Sequence, residues 1–242
     1  MKEVPPNVYH QPIPHDPQDR ADMPKAEKAV SFFEKQIVSI HNLMRAKQQL
    51  PSFDSVRRAA EEIDGRFDSQ NFSVDIPAFL RSRLPRYGER RVLAVETVLC
   101  ELGYLTREEL RQEFDQANSD KADDTASLPQ SPGSPYSPEI DQDTYANPSY
   151  DVGDLVRVVN QIKAGHIRTP VYLLGKQGKV VRFQGTFLNP EDLAHFKPQV
   201  LQLPLYLVEF DMTEVWGARC PSRSRQDKLQ VEIYEPWLKP IP

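Results

Sequence analysis

The chain has 242 residues, of which 39% are hydrophobic and 22 are proline, and it carries a net charge of −5 from 30 basic and 35 acidic side chains. That length suits one large domain or two small ones. Weak acidity with mixed signs argues against a nucleic-acid surface, no apolar run is long enough to cross a membrane, and the N-terminus lacks the apolar stretch of a secretory signal. Cys100 and Cys220 make no disulfide framework, so cytoplasmic residence is the expectation.

Residues 1–24 read as an extended Pro-rich arm without periodicity, suited to wrapping a partner or to disorder. Residues 25–117 read as a helical domain. Val30, Phe33, Ile37, Ile40 and Met44 recur at helical spacing, Phe32 and Leu43 widen the stripe, and Pro51 stops it. A second helix starts at a cap on Ser52 or Asp54 and is expected to end at Asp64-Gly65. Prolines interrupt residues 74–86. The next helix runs from Gly88 to Leu102, with Gly103 suited to the position after its end. Thr106 and Glu109 then form a capping box, completing an αα-corner. Residues 118–148 have too few apolar groups to offset their ordering entropy and read as a linker.

The remaining residues, 149–242, alternate short apolar runs with glycine turns. Strands are expected at Leu155–Val159, Val171–Leu174, Lys179–Phe183, Leu205–Phe210 and Leu229–Tyr234. The predicted fold class is therefore α+β: a helical N-terminal domain with an extended arm, plus a C-terminal SH3-like β-barrel.

Little here reads as a self-contained active site. The five histidines are scattered and the two cysteines are far apart, without metal-ligand spacing. His10 and His15 in the arm could bind a metal, but flexible surface histidines are the better reading. Gly175-Lys-Gln-Gly178 imitates a phosphate loop but opens no helix, so a turn is the better reading. Arg168 stands out because a guanidinium in a loop between strands calls for an anion that the local sequence does not supply. His166 reads as a structural hydrogen-bonding residue. Arg57 and Arg58 form a second basic spot on a helix. Arg81, Arg83, Arg86, Arg90 and Arg91 form a third around Tyr87. Trp216 and Trp237 suit packing or an interface.

Spaced motifs then carry a resemblance. GDLVRV, GHIRTPVYLLGKQGKVV, LYLVEF, EVWG and EIYEPWL follow one another across residues 150–241. In this order they resemble the β subunit of nitrile hydratase and the related subunits of thiocyanate hydrolase. FDSVRRAAEEI and YGERRVLAVETVLCELGYLTREEL resemble helical segments of the same family more weakly. The resemblance implies a lyase that hydrates a nitrile to an amide as a hetero-oligomer, αβ or (αβ)2, and is inactive as a lone chain. It implies a non-corrin cobalt or low-spin iron held by a CxxCSC claw of a partner α-type subunit, with no metal ligand in this chain. It also implies that Arg168, from a GHxR motif, and Arg57, with Arg58 as the one-residue alternative, hydrogen-bond oxidised sulfur oxygens of that centre, and that Tyr87 lines the substrate channel. Arg90 and Arg91 depart from the family pattern by adding positive charge beside Tyr87, which makes a thiocyanate hydrolase-like subunit a second expectation. A non-catalytic scaffold or activator of an α-like partner is a third.

Overall fold

A computed structural model describes residues 31–50, 52–70, 72, 76–118, 136–161 and 166–241. The expected arm at 1–24, with His10 and His15, lies outside the described residues, as does Gly165 of the GHIRTPVY run. The chain divides into two compact units, one spanning Val30–Ser137 and one containing Pro138–Pro242.

The first unit is built from four helices: α1 (Phe32–Ala46), α2 (Phe53–Asp68), α3 (Tyr87–Glu101) and α4 (Arg107–Asn118). Their starts follow capping chemistry. Ser31 and Glu34 cap α1 reciprocally, with the Glu34 amide donating to Ser31 Oγ at 3.2 Å and the Ser31 amide to Glu34 Oε2 at 2.9 Å. Ser52 caps α2, accepting from the Asp54 amide at 3.0 Å. The Thr106–Glu109 box is present as expected. Gly103, with φ +75°, terminates α3 in the left-handed region that a side chain disfavours. α2 passes through Gly65 and continues to Asp68, about one turn beyond the predicted stop, because one helical glycine costs only about 1 kcal/mol while Phe67 becomes buried behind it.

α2 and α3 pack together, and Val56, Ala59 and Ile63 of α2, Leu93, Val98 and Leu99 of α3, and Ile76 and Leu80 from the connecting segment are all buried. A charged network runs beside this core. Arg58 is 5% exposed and pairs with Glu62, one turn along α2, and with Glu101 at the end of α3. Burial works against its charge, but the two carboxylates outweigh that and hold the guanidinium above its usual range.

The second unit is one six-stranded sheet with two short helices. The strands are β1 (Glu139–Asp141), β2 (Leu155–Val158), β3 (Gln177–Leu188), β4 (Gln199–Asp211), β5 (Lys228–Tyr234) and β6 (Leu238–Pro240); α5 (Pro190–Ala194) and α6 (Met212–Trp216) sit in the connections. The order is β1-β4-β3-β2-β6, with β5 also on β4. β4 is long enough for β1 to pair with 199–201 in parallel and β5 with 205–211 antiparallel.

This overturns the expected SH3-like β-barrel. The sheet is open: among the described residues no ladder joins β5 to β6, and β6 instead borders β2. A 3-10 turn at Glu235–Trp237 carries the chain between them, and the last residue of β6, Pro240, has no amide to donate. Val171–Leu173 is likewise a 3-10 turn rather than a strand, and the stretch expected to be linker contains β1. β3 and β4 run longer than predicted because irregularities between Val180 and Arg182 and between Phe183 and Gly185 let β3 bend without leaving the ladder.

The core of this unit gathers Val156, Val180, Val208, Phe210, Ile233 and Trp237. Gly178 is a close-approach position, since a Cβ there would sit 2.6 Å from Val208 Cγ1. Tyr206, fully buried, donates to Glu235 Oε2 at 2.6 Å, and Glu235 also accepts from the Ser149 amide and hydroxyl at 2.9 and 2.8 Å. Burial first, and then the Glu235 contact, pushes the Tyr206 phenol upward.

Candidate functional site

Each unit displays one of the predicted arginines. In the sheet unit, residues 166–169 lie between β2 and β3. His166, Ile167 and Thr169 are buried and Arg168 is exposed. Ile167 belongs to the core and the His166 amide donates to His195 Nε2 at 3.3 Å. The backbone on both sides of Arg168 is thus anchored while its guanidinium faces outward, with no carboxylate of the described residues paired to it.

In the helical unit the alternatives Arg57 and Arg58 separate. Arg58 is turned inward and neutralised by Glu62 and Glu101. Arg57 is exposed, with its guanidinium carbon 4.7 Å from the centre of the Phe53 ring one turn earlier. Tyr87, the first residue of α3, is 52% exposed, and its hydroxyl accepts from Arg91 Nη1 at 2.5 Å.

Arg57 and, through Arg91, Tyr87 belong to a larger cluster centred on Phe53. Arg45 and Arg91 place their guanidinium carbons 5.9 and 5.8 Å from the same ring centre. His41 stacks on Phe53 at 5.6 Å with an interplanar angle of 5°. Arg91 donates from Nε to His41 Nδ1 at 3.0 Å, with Nη2 2.8 Å from the same nitrogen. His41 is fully buried, and its pKa is pushed down to about 4, first by burial and then by the positive charges of Arg91 and Arg45. It is therefore a neutral acceptor at neutral pH and holds the Arg91 fork in place.

The sequence reading noted Arg91 as part of a basic patch but missed Arg45, Phe53 and His41. A signal for them was there. His41–Arg45, Phe53–Arg57 and Tyr87–Arg91 repeat one spacing, a ring followed four residues later by an arginine, on three successive helices. That spacing stacks side chains on one helix face.

A separate cavity of about 300 Å³ lies in this unit, lined by Phe33, Pro77, Leu80, Val92 and Leu93, with Glu89 and Glu96. Burial pushes Glu96 up to about 7. Among the described residues no group of three or more His, Cys, Asp or Glu side chains could hold a metal. No helix of the described residues is long and apolar enough to cross a membrane.

Residues 138–240 match the family described as nitrile hydratase beta subunit, C-terminal. The chain is 29% identical over 196 residues to the nitrile hydratase subunit beta of Pseudomonas chlororaphis, covering 79% of this chain and 74% of that one. It is 28% identical over 177 residues to the corresponding subunit of Rhodococcus erythropolis, covering 70% of this chain and 76% of the relative. A cobalt-containing nitrile hydratase subunit beta of Pseudonocardia thermophila is 29% identical over 107 residues, 44% of this chain and 42% of that one. A solved recombinant apo-enzyme of thiocyanate hydrolase from Thiobacillus thioparus overlaps 39% of this chain and 78% of its own at 26% identity, with a TM-score of 0.36.

Proposed function

Because this chain belongs to the nitrile hydratase beta-subunit family, we propose that it is the non-metal-carrying subunit of a complex that hydrates a nitrile to the amide. Its partner is an α-type subunit with a CxxCSC claw that holds cobalt or iron, and that metal supplies the activation of water. This chain supplies Arg57 and Arg168. Each presents a planar fork of N–H donors to oxidised sulfur oxygens of the claw, fixing their orientation by charge-assisted bonds. Tyr87 supplies an aromatic wall and a hydroxyl at the substrate channel.

The observation that carries this reading is the state of Arg168. It is held on a backbone whose neighbours are buried, yet its own charge has no carboxylate partner among the described residues. A guanidinium so anchored is suited to an anion from outside the chain. The exposed, stacked Arg57 supports the same role, whereas Arg58 is already saturated by Glu62 and Glu101.

The test is Arg168→Lys in the co-expressed complex. Lysine keeps the charge and loses the fork. Turnover is expected to fall about a hundredfold, roughly 2.7 kcal/mol of transition-state stabilisation, while the complex still assembles on a sizing column. Turnover within about twofold of the parent would remove Arg168 from the mechanism.

A further inference from the structure

The Phe53 cluster holds more positive charge than the proposed reaction uses. Only Arg57 has a task there, yet Arg45 and Arg91 flank the same ring. We infer that Arg45 and Arg91 form a receptor for the carboxylate of a small organic anion, so that this subunit selects a substrate bearing a carboxylate beside its nitrile. The inference deepens the proposed function and rests on it for the word substrate. The anion site itself rests only on the cluster.

Three observations carry it. First, six carboxylates of α1, α2 and α3 are already engaged. Glu34 accepts from Ser31, Asp54 from the Ser52 hydroxyl, Glu89 from Arg83 at 2.7 Å and Asp64 from Arg90 at 2.6 Å. Glu62 and Glu101 belong to Arg58. No carboxylate of the described residues is paired with Arg45, Arg57 or Arg91. Second, Arg91 is pre-organised. His41 takes Nε and Nη2 and Tyr87 takes Nη1, which fixes the plane of the guanidinium and leaves N–H donors over. Third, that orienting acceptor stays neutral and His41 Nε2 is buried without a hydrogen-bond partner among the described residues, so the site adds no negative charge of its own. Guanidinium groups crowded on one ring repel each other, and a planar carboxylate relieves that repulsion while accepting paired N–H bonds.

The experiment compares cyanoacetate with propionitrile, which differ by a carboxylate in place of a methyl group, in the assembled enzyme. The parent is expected to favour cyanoacetate in kcat/KM by tenfold or more. Arg45→Gln and Arg91→Gln are each expected to lower that ratio about tenfold, mainly through KM for cyanoacetate. Arg111→Gln, which removes the same charge from α4, should leave the ratio unchanged. In parallel, sodium cyanoacetate is expected to raise the melting temperature of the full chain above that in sodium chloride of equal ionic strength, and Arg45→Gln, an exposed change that spares the fold, should abolish the difference. Parent enzyme that uses both nitriles equally, or variants that leave the ratio alone, would overturn the inference. So would a melting shift in the free chain that vanishes on assembly with no preference in turnover, since the cluster would then receive a carboxylate of the partner. A complex that hydrates neither nitrile, while the chain still binds cyanoacetate through Arg45 and Arg91, would sink the proposed function and leave the anion site standing.

Discussion

Arg57 and Arg168 are both exposed and both without a carboxylate partner among the described residues, yet the helical unit and the sheet unit display them by different means. Arg57 leans on a ring of its own helix, in company with two further guanidinium groups and a buried neutral histidine. The Arg168 side chain has no ring or carboxylate of the described residues to lean on; its position comes from buried His166, Ile167 and Thr169 on either side. A helix orients an arginine through side chains at four-residue spacing, whereas a loop does so through the backbone that its neighbours bury. Substitutions around Arg57 should therefore act through neighbouring side chains, and those around Arg168 through the loop's anchoring.

The largest expected effect sharpens the contrast within α2 itself. Arg58→Met should cost about 3–5 kcal/mol in denaturant unfolding, because it leaves Glu62 buried without its cation, while Arg57→Gln next to it should cost under about 1 kcal/mol. Equal costs would erase the inward–outward distinction. Next comes Arg57→Lys in the assembled complex. It keeps the charge over Phe53 but loses the fork, and turnover is expected to drop between ten- and a hundredfold with assembly intact; an unchanged rate would hand the role to another residue.

Glu96 gives a smaller and pH-dependent effect. Its carboxyl is raised to about 7 by burial, so between its unfolded value near 4.5 and 7 the folded chain binds more protons than the unfolded one. Stability should fall as pH rises through that window. Glu96→Gln is then expected to stabilise the chain by up to about 2 kcal/mol at pH 8 and by little at pH 4, read from melting curves at both pH values. A benefit independent of pH would contradict the assignment. His41 works in the opposite direction: with its pKa lowered to about 4, it contributes stability above its unfolded value that is lost as pH falls toward 4. In the sheet unit Tyr206→Phe should cost about 1–2 kcal/mol, since Glu235 loses a donor in a buried place; a neutral result in urea unfolding would mean that the two Ser149 bonds suffice.

Much of the helical unit was legible in the sequence because caps are local chemistry. Ser52, Gly103 and the Thr106–Glu109 box needed no tertiary information. The stripe on α1 was legible as a helix but not as to its environment. Phe32 is 75% exposed and Leu43 57%, since periodicity reveals that a face is apolar and not what covers it. Four strands of the second unit, β2 to β5, were legible, but not β1, β6 or the pairing. Short apolar runs with glycine turns fit a closed barrel and an open sheet alike, and the difference lies in whether β5 reaches β6, a long-range contact that no local pattern encodes. That Arg58 turns inward while Arg57 stays exposed was likewise hidden, since it depends on Glu101, 43 residues away from Arg58.

Reconstitution from separate subunits is the most direct test. The full chain should hydrate no nitrile by itself and should do so once combined with a metal-loaded CxxCSC-bearing partner, with the gain lost when Arg57 and Arg168 are both changed to lysine. Nitrile hydration by the purified chain alone, or full activity of the partner without it, would contradict the claim that one polypeptide lends its arginines to a centre built by another.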